Sequence, residues 1–223
     1  MNLPTLTIPT VAIAESSERF PVRRIFCVGQ NYADHTREMG GDPDRQPPFF
    51  FSKPADAVVA DGSVLAFPPR TRDLHHEVEL VIALGAGGAD IAAGDALDCV
   101  FGWTVGIDFT RRDLQAEAKK AGRPWDMAKG FDQSAPVGAV RRGAPPAEGV
   151  IGLSLDGAVR QAGDLADMIW SVPEIIATLS TYVTLAPGDL IFTGTPAGVG
   201  PVLPGQTIVA NVCGVELRVA YRD

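Results

Sequence analysis

The sequence predicts an α+β fold, a mixed or rolled β-rich sheet with a few helices set irregularly between strands. Three observations lead there. Glycine (24) and proline (18) are plentiful in 223 residues, so turns are frequent. Short runs of β-branched, aromatic and aliphatic residues recur between those turns. Only three stretches have helical periodicity, and they do not alternate with strands as a doubly wound sheet requires. A hydrophobic share of 46% and a charged share of 21% suit an ordinary buried core.

The elements follow in order. The first twenty residues, "MNLPTLTIPTVAIAESSERF", are expected to be an N-terminal extension. No repeat, low-complexity tract or linker divides the remainder, so 21–223 is expected to be a single domain. Strands are predicted near 23–28 ("RRIFCV") and 48–52, with a short helix over 31–39 between them. The next strand, 77–84, lies in "LHHEVELVIAL". Side chains alternate along a strand, so Val78, Leu80, Ile82 and Leu84 share a core face. Glu77 and Glu79 then project together from the other face. A strand over 99–108 and a helix over 110–121, stopped by Gly122 and Pro124, come next. In "LSLDGAVRQ" a strand at 151–155 meets Asp156-Gly157, a pair suited to a two-residue hairpin. A helix over 172–184 carries Ile175, Ile176, Leu179, Tyr182 and Val183 on one stripe, with Pro173 in its first turn. Strands at 189–193, 207–212 and 215–221 complete the pattern.

The net charge of −8 gives the chain no electrostatic reason to bind DNA or RNA. No apolar run approaches the ~20 residues that a membrane span requires. The N-terminus lacks a basic start followed by a long apolar run, so no signal peptide is expected. Cys27, Cys99 and Cys213 are far apart in apolar surroundings, and read as small buried residues in a reducing, cytoplasmic setting. "GAGGAD" lacks the third glycine of a dinucleotide fingerprint. "TGTPAGVG", 193–200, lacks the ending of a phosphate loop; it is either a tight turn or a row of backbone amides facing an anion.

The acidic residues carry the chemistry. Glu77 and Glu79 have two readings: a solvated strand face, or a paired site. Asp108 ends the apolar run "VFGWTVGID", and is either a helix N-cap or a third member of that site. If the strands at 77–84 and 99–108 pair, three carboxylates converge and repel unless a cation holds them. All-oxygen ligation suits a hard divalent ion, Mg²⁺ or Mn²⁺. His75 and His76 flank the pair on alternating faces and are not read as ligands. In "GQNYADHTREMG", His35 and Glu38 are one helical turn apart. They form either a surface contact or a base whose carboxylate orients the imidazole.

Taken in order, "GQNYADHTREMG", "FFFSKPADAVV", "LHHEVEL", "GIDFTRRDLQ", "GRPWDMAKGFDQSAPVG" and "DLIFTGTPAGVGPV" resemble the fumarylacetoacetate hydrolase family, in its short acylpyruvate hydrolase branch. The resemblance implies that family's rolled mixed sheet and a metal on Glu77, Glu79 and Asp108. It implies a His35–Glu38 pair on a lid, a functional Lys129, and pocket positions at Arg112, Gln115 and Thr195. It also implies a homodimer or larger assembly. Larger relatives have an extra N-terminal domain, so their substrate range and oligomer geometry do not transfer. Within the branch the chain is similar to fumarylpyruvate hydrolases, which act at the final step of gentisate breakdown.

The expected activity is therefore metal-dependent hydrolysis of a C–C bond in a small diketo acid, giving pyruvate and a small acid such as fumarate. Arg112, close after Asp108, is available to clamp an acid group. The alternatives on the same site are oxaloacetate decarboxylation and dienoate isomerisation of the 2-hydroxyhepta-2,4-diene-1,7-dioate type. A metabolite-binding module without turnover is the non-enzymatic reading. Residues 36–47 are expected to form a loop able to order over the substrate.

Overall fold

The computed structural model describes residue 3, residues 5–38 and residues 46–223. Two mixed sheets dominate. The six-stranded sheet runs Arg141–Arg142, Val100–Ile107, Val78–Leu84, Asp189–Phe192, Arg24–Gly29 and Phe49–Lys53. Asp189–Phe192 is parallel to Arg24–Gly29 and antiparallel to Val78–Leu84. The five-stranded sheet runs Ala158–Asp164, Val150–Leu155, Thr207–Val212, Val215–Tyr221 and Val64–Leu65. Leu80, Ile82 and Val105 from the first sheet share one buried cluster with Ile151, Ile208 and Leu217 from the second.

Val78–Leu84 has no open face, because every residue in it is buried. Val81 and Ala83 enter a second cluster with Leu190 and Phe192, covered by Val11, Ile13 and Phe20. Those last residues belong to an N-terminal hairpin in which Thr10–Ala12 pairs with Arg19–Pro21. Two core faces explain why the strand is continuously apolar beyond its first residues. Its alternation is the expected one, with Val78, Leu80, Ile82 and Leu84 in one cluster, but it starts one residue later than predicted, because Leu74–His76 is a separate short strand and regular pairing resumes at Val78.

Asp156 and Gly157 take φ of 49° and 82°, and Cys213 and Gly214 take 47° and 81°. Positive φ at both central residues makes each a hairpin turn matched to strand twist. Cys27 and Cys99 are buried as expected, whereas Cys213 is half-buried; the difference arises because it occupies a turn rather than a core position.

The helix Val172–Tyr182 starts with a capping box, in which Ser171 and Glu174 satisfy each other's backbone amides, and buries Ile175, Ile176 and Leu179. Tyr182 departs from the predicted stripe. It sits in the last turn, is 69% exposed, and lays its ring edge-on against Phe50. The helix Arg112–Ala121 ends at Gly122, whose left-handed φ of 61° returns its N–H to the last carbonyls. The predicted helix near 31 is Ala33–Glu38. Asn31 just before it is buried, and its side chain bonds to Trp170 and Thr193 backbone atoms. A four-residue helix, Asp126–Lys129, was not expected, being too short for any periodicity. Among the described residues no helix is long and apolar enough to cross a membrane.

Candidate active site

The site begins where two antiparallel strands end together. Val78 stands opposite Ile107, and the Asp108 N–H donates to the Glu77 carbonyl at 2.8 Å. That register sets Glu77 beside Asp108 just outside the ladder, with Glu79 one pleat inside it. Glu77, Glu79 and Asp108 are 5%, 1% and 0% exposed. Each offers an oxygen, and these atoms all lie within 4.8 Å of one another. The solvated-face reading of the glutamates is thereby corrected. So is the N-cap reading of Asp108, because the short strand Thr110–Arg111 intervenes before the helix. Asp113, not Asp108, accepts a first-turn amide there, from Leu114 at 2.9 Å.

Three cations surround the cluster unevenly. Lys129 Nζ donates to Glu77 at 2.8 Å and to Asp108 at 2.7 Å. Lys53 Nζ lies 2.8 Å from the other Asp108 oxygen, and Arg112 pairs with Glu77. Among the described residues Glu79 has no ion-pair partner, only the Gly194 N–H at 2.7 Å. The ionisation follows that asymmetry. Burial opposes the Glu77 charge, but Lys129 and Arg112 outweigh it and hold the carboxyl well below the usual range. Burial, reinforced by Asp108 and Glu77, pushes Glu79 well above it. Burial lowers Lys129, yet Asp108 and Glu77 carry it up to about 12, so it remains a cation. A buried carboxylate without a countercharge, within reach of two others, fits a hard divalent ion.

The cleft above this floor is lined by His35, Glu77, Glu79, Arg112, Gln115, Lys129 and Thr195. Seven of the nine residues singled out in the sequence thus face one space, and Asp108 lies beneath it. The Glu38 side chain lies outside the described residues, as does most of the 36–47 loop. Arg112 and Gln115 share one helical face with Lys119, which lines the cleft mouth, and Arg112 also donates to Gln115.

His75 and His76 point apart, as alternation requires. Arg112 Nε donates to His75 Nδ1 at 3.3 Å and His75 Nε2 meets Asp73 at 2.9 Å. His75 is therefore a neutral prop for Arg112, its pKa lowered by burial and then by Arg112. His76 turns instead to Gln161.

Several contributors went unread in the sequence. Lys53 is 3% exposed; its signal was a lysine closing the aromatic run "PFFFSK". Phe51 packs its ring 4.8 Å from Lys129 Nζ, and Trp125 forms a cleft wall. In "TGTPAGVG" a backbone amide does meet an acidic group, but that group is the chain's own Glu79 carboxyl. Gly194 takes φ of 97° there, and a Cβ on it would lie 2.7 Å from the Asn31 Cβ. Only glycine fits that approach.

The fumarylacetoacetate (FAA) hydrolase C-terminal family model matches residues 24–219. A crystal structure of fumarylpyruvate hydrolase from Pseudomonas aeruginosa, in complex with Mn²⁺ and pyruvate, superposes with a TM-score of 0.96 at 47% identity, covering 100% of this chain and 99% of that one. A fumarylpyruvate hydrolase from Ralstonia sp is 40% identical over 181 residues, 79% of this chain and 94% of its own. A mitochondrial oxaloacetate tautomerase, FAHD1 of Mus musculus, is 43% identical over 196 residues, 86% of this chain and 88% of its own. The chain therefore belongs to the fumarylacetoacetate hydrolase family and is an enzyme, a hydrolase by that kinship.

Proposed function

We propose that this enzyme hydrolyses the C–C bond of an acylpyruvate, with fumarylpyruvate the leading substrate and the last step of gentisate breakdown its setting. The observation that carries the reading is the meeting of Glu77, Glu79 and Asp108 under a cleft walled by His35, Arg112, Lys129 and Thr195. The Mn²⁺ and pyruvate in the Pseudomonas aeruginosa relative support it. Glu77, Glu79 and Asp108 hold the divalent ion, Mg²⁺ or Mn²⁺. When bound, the ion supplies Lewis-acid polarisation of the substrate's keto oxygen.

The chain's own residues do the rest. His35, 6% exposed, takes a proton from water, which then adds to the distal carbonyl. Glu38 is assigned to hold the His35 ring. The C–C bond breaks, its electron pair leaves as the pyruvate enolate, and a proton returns to the methylene carbon. Arg112 and Gln115 hold the acid group of the substrate. Lys129 keeps Glu77 ionised and holds Asp108 by a hydrogen bond, and its remaining N–H stabilises developing oxyanion charge. The chain assembles as a homodimer in this reading, which sedimentation equilibrium tests.

The second reading, oxaloacetate tautomerisation or decarboxylation, is favoured by the FAHD1 relative. It uses the same enolate stabilisation without an activated water. The test is an ultraviolet assay of fumarylpyruvate, acetylpyruvate and oxaloacetate, with EDTA and with added Mg²⁺ or Mn²⁺. Metal-dependent loss of the acylpyruvate enol absorbance, abolished in His35→Ala, is the expected result. Full acylpyruvate turnover in EDTA, or in His35→Ala, refutes the assignment, and turnover of oxaloacetate alone selects the second reading.

A further inference from the structure

Gln161 belongs to the strand Ala158–Asp164 in the sheet opposite the ligand strand, and no step above uses it. It is 1% exposed, and its amide is fully engaged. Nε2 donates to the Thr195 hydroxyl at 2.8 Å and to the Pro196 carbonyl at 2.9 Å. Oε1 accepts from the Val78 N–H at 3.0 Å and lies 2.9 Å from His76 Nδ1. The orientation has no alternative, because the Val78 amide can only donate and the Pro196 carbonyl can only accept. His76 therefore carries its proton on Nδ1.

What Gln161 joins matters more than its own saturation. Val78 is the residue between Glu77 and Glu79. Thr195 lines the cleft, and its neighbour Gly194 donates to Glu79. One side chain thus ties the backbone between two carboxylates to the loop that supports one of them. The contact is tight along its length. A Cβ on Gly198 would lie 2.2 Å from the Arg160 carbonyl oxygen, and one on Gly163 would lie 2.8 Å from the Pro196 Cβ. Because Nε2 donates to the Thr195 oxygen, the Thr195 O–H hydrogen stays available for a substrate oxygen.

We propose that Gln161 is a positioning residue that fixes the ligand strand against the Thr195 loop and presents Thr195 as a donor, so that ion binding and keto-acid binding depend on it together. This rests on the reading that the carboxylate cluster holds a divalent ion. Removing the amide leaves the Val78 N–H and the Pro196 carbonyl buried without partners, and each segment moves to recover one.

The test measures Mn²⁺ affinity, then pyruvate affinity at saturating Mn²⁺, by calorimetry, alongside the thermal midpoint. Gln161→Met is expected to raise both dissociation constants about tenfold. Thr195→Val is expected to act mainly on pyruvate, and the double variant to bind pyruvate no worse than the weaker single one. Should Gln161→Met not fold, Gln161→Glu replaces it at equal size. Its carboxylate accepts the Thr195 proton, and a tenfold weaker pyruvate affinity is expected. Both affinities within twofold of wild type beside a lowered midpoint would reduce Gln161 to a core hydrogen bond and overturn the proposal. Additive losses in the double variant would overturn it too. Wild-type protein that binds no Mn²⁺ overturns the metal reading first, and the coupling with it.

Discussion

Glu77 and Glu79 lie two residues apart yet ionise in opposite directions, because Lys129 and Arg112 face only the first. The asymmetry gives two predictions. Without a bound ion, burial, Asp108 and Glu77 favour a proton on Glu79. A divalent ion requires the carboxylate form, so ion and proton compete. Mn²⁺ affinity is expected to rise with pH, and binding to release a proton wherever Glu79 is still protonated, a release that Glu79→Gln eliminates. Calorimetry in two buffers of different ionisation enthalpy measures that release, and its absence would mean Glu79 is already ionised. The second concerns Lys129, 3% exposed. Lys129→Met leaves Glu77 and Asp108 short of a cation and is expected to cost about 3 kcal/mol or more in EDTA. Glu77 has a depressed folded pKa, so its stabilising contribution is present above the unfolded carboxylate range and is lost on acidification. The gap between variant and wild type should therefore shrink as pH falls, by urea unfolding at several pH values. Glu77, Glu79 and Asp108 were legible because a charge inside an apolar run has few reasons to exist. Lys53 and Gln161 were not, because their partners come from segments distant in the chain.

Elements announced by local chemistry were read correctly, and those set by tertiary packing were not. Asp156-Gly157 specified its hairpin because few residue pairs tolerate positive φ at both positions. Cys213-Gly214 performs the same turn and was missed as one, although the two-residue gap between flanking strands marked it. The Asp126–Lys129 helix, four residues long, exists because its surroundings hold it: the Lys129 carbonyl accepts from Lys53 and from Ser134. The helix Val172–Tyr182 is the opposite case, since Ser171, Pro173 and Glu174 define its start without outside help. Ser171→Ala removes the reciprocal cap and is expected to cost about 1 kcal/mol. In a chain of this size that lowers the thermal midpoint by about 2–4 °C. Differential scanning calorimetry should show the shift with activity retained. An unchanged midpoint would mean that the Ile175, Ile176 and Leu179 packing alone sets the helix.

For the molecule as a whole, the carboxylate cluster is both a site and a defect in the core. Its floor stands where two strands leave the six-stranded sheet, so the protein folds around three buried acidic side chains, with Lys53, Lys129 and Arg112 set against Asp108 and Glu77 and no cation set against Glu79 among the described residues. A divalent ion held by the native cluster, and by no comparable arrangement in the unfolded chain, adds stability by mass action. At one hundred times its dissociation constant the gain is about 2.7 kcal/mol, which for a domain of this length raises the thermal midpoint by about 5–10 °C. EDTA should abolish the increment and Mn²⁺ or Mg²⁺ should restore it. Glu77→Gln should reduce the increment by weakening the ion, but it should also lower the midpoint in EDTA, because Lys129 and Arg112 then lose an ionised partner. Glu79→Gln separates the two effects. It weakens the ion but replaces a carboxyl whose charge burial, Asp108 and Glu77 already disfavour by a neutral amide of the same size, so its metal-free midpoint should equal or exceed that of wild type. A metal-free midpoint falling equally in both variants would show that the uneven distribution of cations around the cluster does not govern its energetics.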